Sequence, residues 1–247
     1  HPRVRRQRQM CIRDSILNGT TNFILTMMIE KGMSFDEALK IAQEKGYAEK
    51  DPTADVEGYD ACRKVCILAS LAFGKHVYPN QVETEGITNI TLEDVSYIEN
   101  AGGVIKLLGQ IKYINDNEIA AFVSPAVVYN GSQLASVKDV FNAILVRGDA
   151  VGDVCFYGPG AGKLPTASAV VADIIDCAKH SERKKIFGWG AGAEDYVVDY
   201  KERIEMPFYV RAKATPAEIN AKFSDVKFLS RKGQPSDEVA FLSLIHI

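Results

Sequence analysis

The stretch Gly46-Tyr-Ala-Glu-Lys-Asp-Pro-Thr-Ala-Asp-Val-Glu-Gly-Tyr-Asp-Ala-Cys-Arg-Lys64 is where the chain passes from a turned loop into a buried helix. It carries five acids, Glu49, Asp51, Asp55, Glu57 and Asp60, and then closes on Arg63 and Lys64. Most acidic runs are solvated helix faces, but Gly46, Pro52 and Gly58 break this one into tight turns. The next segment, Ala61 to Phe73, is strongly apolar, so the last charges stand in the first turns of a helix that faces a core. Asp60 and Lys64 are four apart and share one side of that helix. The spacing fits a structural ion pair. It equally fits a site for a zwitterion, where a carboxylate and an ammonium are needed side by side.

Upstream, Asn18-Gly19 predicts a turn, with Thr20 or Thr21 capping a helix whose buried stripe is Phe23, Ile24, Met27 and Met28. Ser34 with Glu37 forms a capping box for a second helix, which Gly46 stops. Downstream, Gly86 to Ile90 reads as a short strand and Thr91 opens a helix to about Asn100. From Val104 to Tyr129 the period changes to that of strands, with a turn at Asn115-Asp-Asn117. A second hairpin spans Asn142 to Phe156, and an Ala/Val/Ile-rich helix from Gly162 to Lys179 closes the unit. The glycines of Tyr157-Gly-Pro-Gly-Ala-Gly-Lys163 do not make a P-loop, because Tyr157 and Leu164 stand where Gly and Ser/Thr are required. Even so, Gly158, Gly160 and Gly162 feeding a helix allow a ligand to approach the backbone.

The bulk properties set limits. The 247 residues are 47% hydrophobic, enough for a sizeable core. No apolar run is long enough for a membrane span, and no membrane partner is expected. Five cysteines without framework spacing point to reduced thiols and a cytoplasmic protein. The net charge of −3 conceals five arginines within residues 1–15, and without that segment 24 basic face 31 acidic side chains. So acidic a body argues against a nucleic-acid partner. Residues 1–15 and 244–247 are read as tails foreign to the domain, the former disordered. The four histidines lie away from the acids, so no metal site is expected.

Three blocks in order carry a resemblance: Asn18-Gly-Thr-Thr-Asn-Phe-Ile-Leu-Thr26, the acidic stretch, and Tyr157 to Asp173. The acidic stretch resembles the G-Y-x-E-x-D-P-x-x-D-x-x-G-x-D-x-x-x-K signature of homoserine dehydrogenases. The likeness runs from Ile16 to Lys179. It implies an α+β fold, a mixed sheet flanked by helices, and a catalytic and dimerisation domain over residues 16–182. Residues 183–205 would then be a linker, and 206–243 a partial ACT-like module. The resemblance implies an oxidoreductase of threonine, methionine and isoleucine biosynthesis that reduces L-aspartate 4-semialdehyde to L-homoserine with NADP or NAD. It assigns Lys64 as catalytic, and Glu49, Asp60, Asp55, Thr20 and Gly19 as substrate-binding. Gly158, Gly160 and Gly162 become secondary cofactor contacts. The expected partners are a small amino-acid substrate and a second copy of the chain.

One departure bears on the cofactor. No G-x-G-x-x-G follows a strand anywhere in the sequence, so the nucleotide-binding domain of the family is not present in these residues. The chain is therefore read as truncated and is expected to bind NAD(P) poorly by itself. The competing reading is a non-catalytic dimerisation or amino-acid-sensing module.

Overall fold

The computed structural model describes residues 10–182 and 188–244. The first elements are β1 (Met10–Ile16), α1 (Gly19–Lys31), α2 (Phe35–Glu44), α3 (Thr53–Val56), α4 (Tyr59–Phe73), β2 (Glu83–Thr84) and α5 (Leu92–Asn100). Then come β3 (Gly103–Asn115), β4 (Glu118–Tyr129), β5 (Phe141–Gly148), β6 (Gly152–Pro159) and α6 (Lys163–Lys179). The C-terminal part holds α7 (Tyr200–Arg203), β7 (Pro207–Lys213), α8 (Pro216–Asn220), β8 (Lys227–Leu229) and β9 (Glu238–Leu244).

The long alternating runs form the β3–β4 hairpin, in register from Gly103 opposite Tyr129 to Tyr113 opposite Ile119, with a shift before Asn115 opposite Glu118. Around it a six-stranded sheet is ordered β2-β4-β3-β1-β5-β6. β2 lies parallel to β4 and the other pairs are antiparallel, so the sheet is mixed, as expected. Helices α1, α4 and α5 pack on it through Ile24, Leu25, Val65, Ile98, Ile105 and Ile111. Each such side chain contributes about 1.5–3 kcal/mol on burial, more than the roughly 1 kcal/mol of a helix cap. Packing therefore places α1 and α4, and the caps only trim their ends. A separate three-stranded sheet, ordered β7-β9-β8, follows. With α8 it gives the element order β-α-β-β, the first part of a β-α-β-β-α-β arrangement.

Several expectations need correction. β1 begins at Met10 and pairs with both β3 and β5, so residues 10–15 belong to the sheet and not to a disordered tail. A register shift between Ile12 and Asp14 breaks the alternation that would have marked this strand. The tail ends at 1–9 and 245–247 lie outside the described residues. Gly86 to Ile90 is a turn. Gly86 sits so tightly on α3 that a Cβ there would fall 2.1 Å from the Val56 carbonyl, and the strand is Glu83–Thr84 instead. The described part of the linker is fastened to the body. Tyr196 and Tyr200 are buried, and Trp189 donates to His76. Finally, α6 does not close the unit: none of its residues is buried, and Leu164, Val170 and Ile174 are exposed.

Lys106 is 2% exposed, although it interrupts an apolar strand. Its ammonium donates to Asn22 Oδ1 at 2.9 Å and to the Val137 carbonyl at 2.6 Å. Asn22 in turn donates to the carbonyls of Val137, Asp139 and Phe141. This node ties α1 to the segment leading into β5. Burial pushes the Lys106 ammonium down to about 8 from its usual 10.5. A lysine depressed on folding leaves the unfolded chain holding more protons between those two values, so stability rises with pH across that window. The stability difference between the parent and a Lys106→Met variant is expected to move toward the parent by about 2 kcal/mol from about pH 7.5 to about pH 10. Urea melts at both pH values measure it, and a flat difference would show that the ammonium carries no burial penalty.

Candidate active site

Two chain segments meet at the N-terminal ends of α1 and α4. Asn18 is the cap of α1, in place of Thr20 or Thr21, and its Oδ1 accepts the Thr21 N–H at 2.8 Å. Its amide nitrogen is left to donate outward, and it does so twice: to Asp55 Oδ1 at 2.7 Å and to Asp60 Oδ2 at 2.9 Å. One buried amide thus clamps two carboxylates from different turns of the acidic stretch. Gly58 caps α4 at φ 82°, a left-handed conformation that lets the chain turn sharply between Asp55 and Asp60.

Lys64 completes the cluster. Its ammonium donates to Asp60 Oδ2 at 2.7 Å and to the Leu17 carbonyl at 2.9 Å. Two of its three protons are therefore held by the protein, and one remains for a ligand. The pair is partly exposed, with side-chain exposures of 43% for Lys64 and 31% for Asp60, as access by a substrate requires.

On the other side of Lys64 lies an open cleft of about 400 Å3. Leu17, Ile67, Leu68, Phe156 and Tyr157 give it apolar walls, while Lys64, Asn142 and the backbone of Gly158 and Gly160 border it. Lys64 is shared by the acid cluster and the cleft. Gly160 is required by close approach, since a Cβ there would fall 1.9 Å from the Asn142 amide nitrogen. Gly158 has open space around it, and Gly162, at φ 116°, serves as the cap residue of α6.

The remaining sequence-assigned residues are placed as follows. Thr20 uses its hydroxyl to hold the Tyr47 carbonyl at 2.7 Å, which ties the Asn-Gly-Thr turn to the start of the acidic loop. Gly19 lies against Val140, whose carbonyl would be 2.8 Å from an added Cβ. Asp51 accepts from the Thr53 N–H and hydroxyl, which hold its carboxyl below the usual range and shape the turn. Glu49 is exposed, and only its backbone carbonyl is engaged, by Gln43. The structure thus joins Asp55, Asp60 and Lys64 and does not bring the Glu49 side chain to them. Sequence reasoning missed Asn18 as the clamp and Asn142 as the neighbour of Gly160. The signal for Asn18 was present, in an Asn-Gly turn placed directly before a helix. For Asn142, which lies 125 residues from Leu17 along the chain, there was none.

Among the described residues no grouping of three or more His, Cys, Asp or Glu is arranged to hold a metal ion, and no helix is long and apolar enough to cross a membrane. Residues 7–175 match the family described as homoserine dehydrogenase. The Bacillus subtilis homoserine dehydrogenase is 47% identical over 165 residues, which are 67% of this chain and 38% of that protein. The chain thus spans well under half the length of that curated relative. A Staphylococcus aureus homoserine dehydrogenase crystal structure superposes with a TM-score of 0.79 at 34% identity, covering 96% of this chain and 59% of that one. A hyperthermophilic archaeal homoserine dehydrogenase mutant, solved in complex with NADPH, superposes with a TM-score of 0.56 at 28% identity, over 73% of this chain and 50% of that one.

Proposed function

The chain belongs to the homoserine dehydrogenase family, and from that premise we propose that it forms the substrate-binding, proton-donating part of an oxidoreductase reducing L-aspartate 4-semialdehyde to L-homoserine. The observation that carries this reading is the Asn18-clamped carboxylate pair beside the Lys64 ammonium at the edge of an apolar cleft. The substrate's α-ammonium is received by Asp55 and Asp60, whose second oxygens are not engaged by Asn18. Glu49 reaches it only if the exposed loop folds inward on binding. The aldehyde then lies toward Lys64.

The apolar walls of the cleft suit the nicotinamide ring of NAD(P)H, which when bound supplies the hydride. They offer no cradle for its phosphates. Gly158 and Gly160 are the backbone that such a ring would lie against. As the aldehyde carbon gains hydride, negative charge gathers on its oxygen. Lys64 stabilises that oxygen and passes it the free proton, and water restores the proton to the amine. Asp60 and the Leu17 carbonyl hold the ammonium in place throughout. The exposed apolar side chains of α6 form a surface on which a dinucleotide-binding domain would dock. We assign the dimer contact to the sheet domain and leave amino-acid sensing to the β7–β9 module as its proposed role.

The test is direct. Mixed with the dinucleotide-binding domain of a relative, the chain is expected to oxidise NADPH in the presence of aspartate semialdehyde. Alone, it is expected to bind NADPH weakly, more weakly than about 0.1 mM, because a ring slot without phosphate contacts gives little of the usual binding energy. Absence of turnover in the mixture, with both parts folded, rejects the dehydrogenase reading. Micromolar NADPH binding by the chain alone rejects the division of labour.

A further inference from the structure

We propose that Asn142 is a positioning residue that couples the glycine loop after β6 to the Lys64 ammonium, an inference that rests on the proton-donor reading above. Its amide nitrogen donates to the Leu17 carbonyl at 3.3 Å, the same oxygen that takes a proton from Lys64 at 2.9 Å. Leu17 is thus held between the two side chains, and a shift of Asn142 moves the acceptor that orients Lys64. From the other direction, the amide stands where a Gly160 side chain would be, 1.9 Å from its nitrogen and 2.6 Å from its carbonyl carbon. The loop therefore rests on Asn142. The stack of Phe141 on Tyr157, with centroids 5.1 Å apart and planes 8° from parallel, fixes the backbone on either side of this contact.

The remaining atom of the amide strengthens the inference. Asn142 Oδ1 is buried without a partner. Such groups are rare and costly. A leucine-sized apolar side chain would avoid that cost, so it is the donor side of the amide that gives the residue its use here. Lys64 stands in a chain of shared acceptors: Asn18 and Lys64 meet on Asp60 Oδ2, and Lys64 and Asn142 meet on the Leu17 carbonyl. Asn18 aligns the ammonium with the Asp55 and Asp60 carboxylates. Asn142 aligns it with the cleft. A ligand that presses on Gly160 is felt at Lys64 through one amide and one carbonyl.

The experiment is a cycle of Asn142→Ala, Gly160→Ala and the double variant, with turnover measured after mixing with a dinucleotide-binding domain and melting measured on the chain alone. Asn142→Ala is expected to lower kcat by about 10-fold to 100-fold, the scale of a displaced catalytic group, while KM for the amino-acid substrate changes less than about threefold. A merely structural residue would not divide the two in this way. Gly160→Ala is expected to lower both kcat and Tm. In the Asn142→Ala background the same methyl enters vacated space, so its further effect is small and the two changes are strongly non-additive. A kcat for Asn142→Ala within about twofold of the parent overturns the proposal, as do independent, additive Tm shifts. If the parent mixture shows no turnover, the dehydrogenase reading fails, and the melting cycle still decides the coupling of loop and amide.

Discussion

Lys64→Ala lowers turnover by about 100-fold or more in the assembled enzyme, the usual contribution of a placed general acid. The variant is informative because the neighbours of Lys64 keep their partners. Asp60 Oδ2 retains the Asn18 amide, and the Leu17 carbonyl retains Asn142. No carboxylate is left buried and bare, so the fold is expected to survive and the melting temperature to change little. Lys64→Arg separates charge from proton transfer. A guanidinium can still face the developing oxyanion, but it does not release a proton at neutral pH. We expect Arg to recover substrate affinity and only a small part of kcat. Steady-state NADPH oxidation across the three proteins measures this. Turnover of Lys64→Ala within threefold of the parent would remove Lys64 from the reaction.

The helices and strands of the body were legible because they obey local rules. The Ser34 and Thr91 boxes, the apolar face of α4 and the β3–β4 alternation each state their own structure within a dozen residues. What local rules do not contain was missed. β1 is hidden by a register shift and by charged residues in a strand that lies between two others. The α6 helix reads as a core helix because its apolar content says it is covered by something, and the sequence pattern does not say by what. The site divides in the same manner. Asp60 and Lys64 are paired by helical spacing alone. Asp55 joins them only through an amide 37 residues upstream, and Asn142 reaches Leu17 across 125 residues. Glu49 is assigned by its place in a motif alone: its side chain stands exposed on the loop, and only its backbone carbonyl is held, by Gln43.

Asn18 offers the second large effect, since it does two jobs that can be separated. Asn18→Ala removes the α1 cap, worth about 0.5–2 kcal/mol, together with both donors to Asp55 and Asp60. Without them the two carboxylates repel and move apart, while Lys64 stays bound to Asp60 and Leu17. The loss is therefore expected chiefly in KM for the amino-acid substrate, with kcat/KM down by about 10-fold to 100-fold. Asn18→Asp divides the roles, because aspartate caps a helix about as well as asparagine but has no N–H to donate when ionised. Its oxygen can still accept from Thr21, so the melting temperature is expected to remain near that of the parent, or well above that of Asn18→Ala. Its second oxygen, however, sets a third negative charge against Asp55 and Asp60, so substrate binding is not restored. Recovery of KM by Asn18→Asp would mean that the cap alone matters and that the two carboxylates do not depend on an amide to converge.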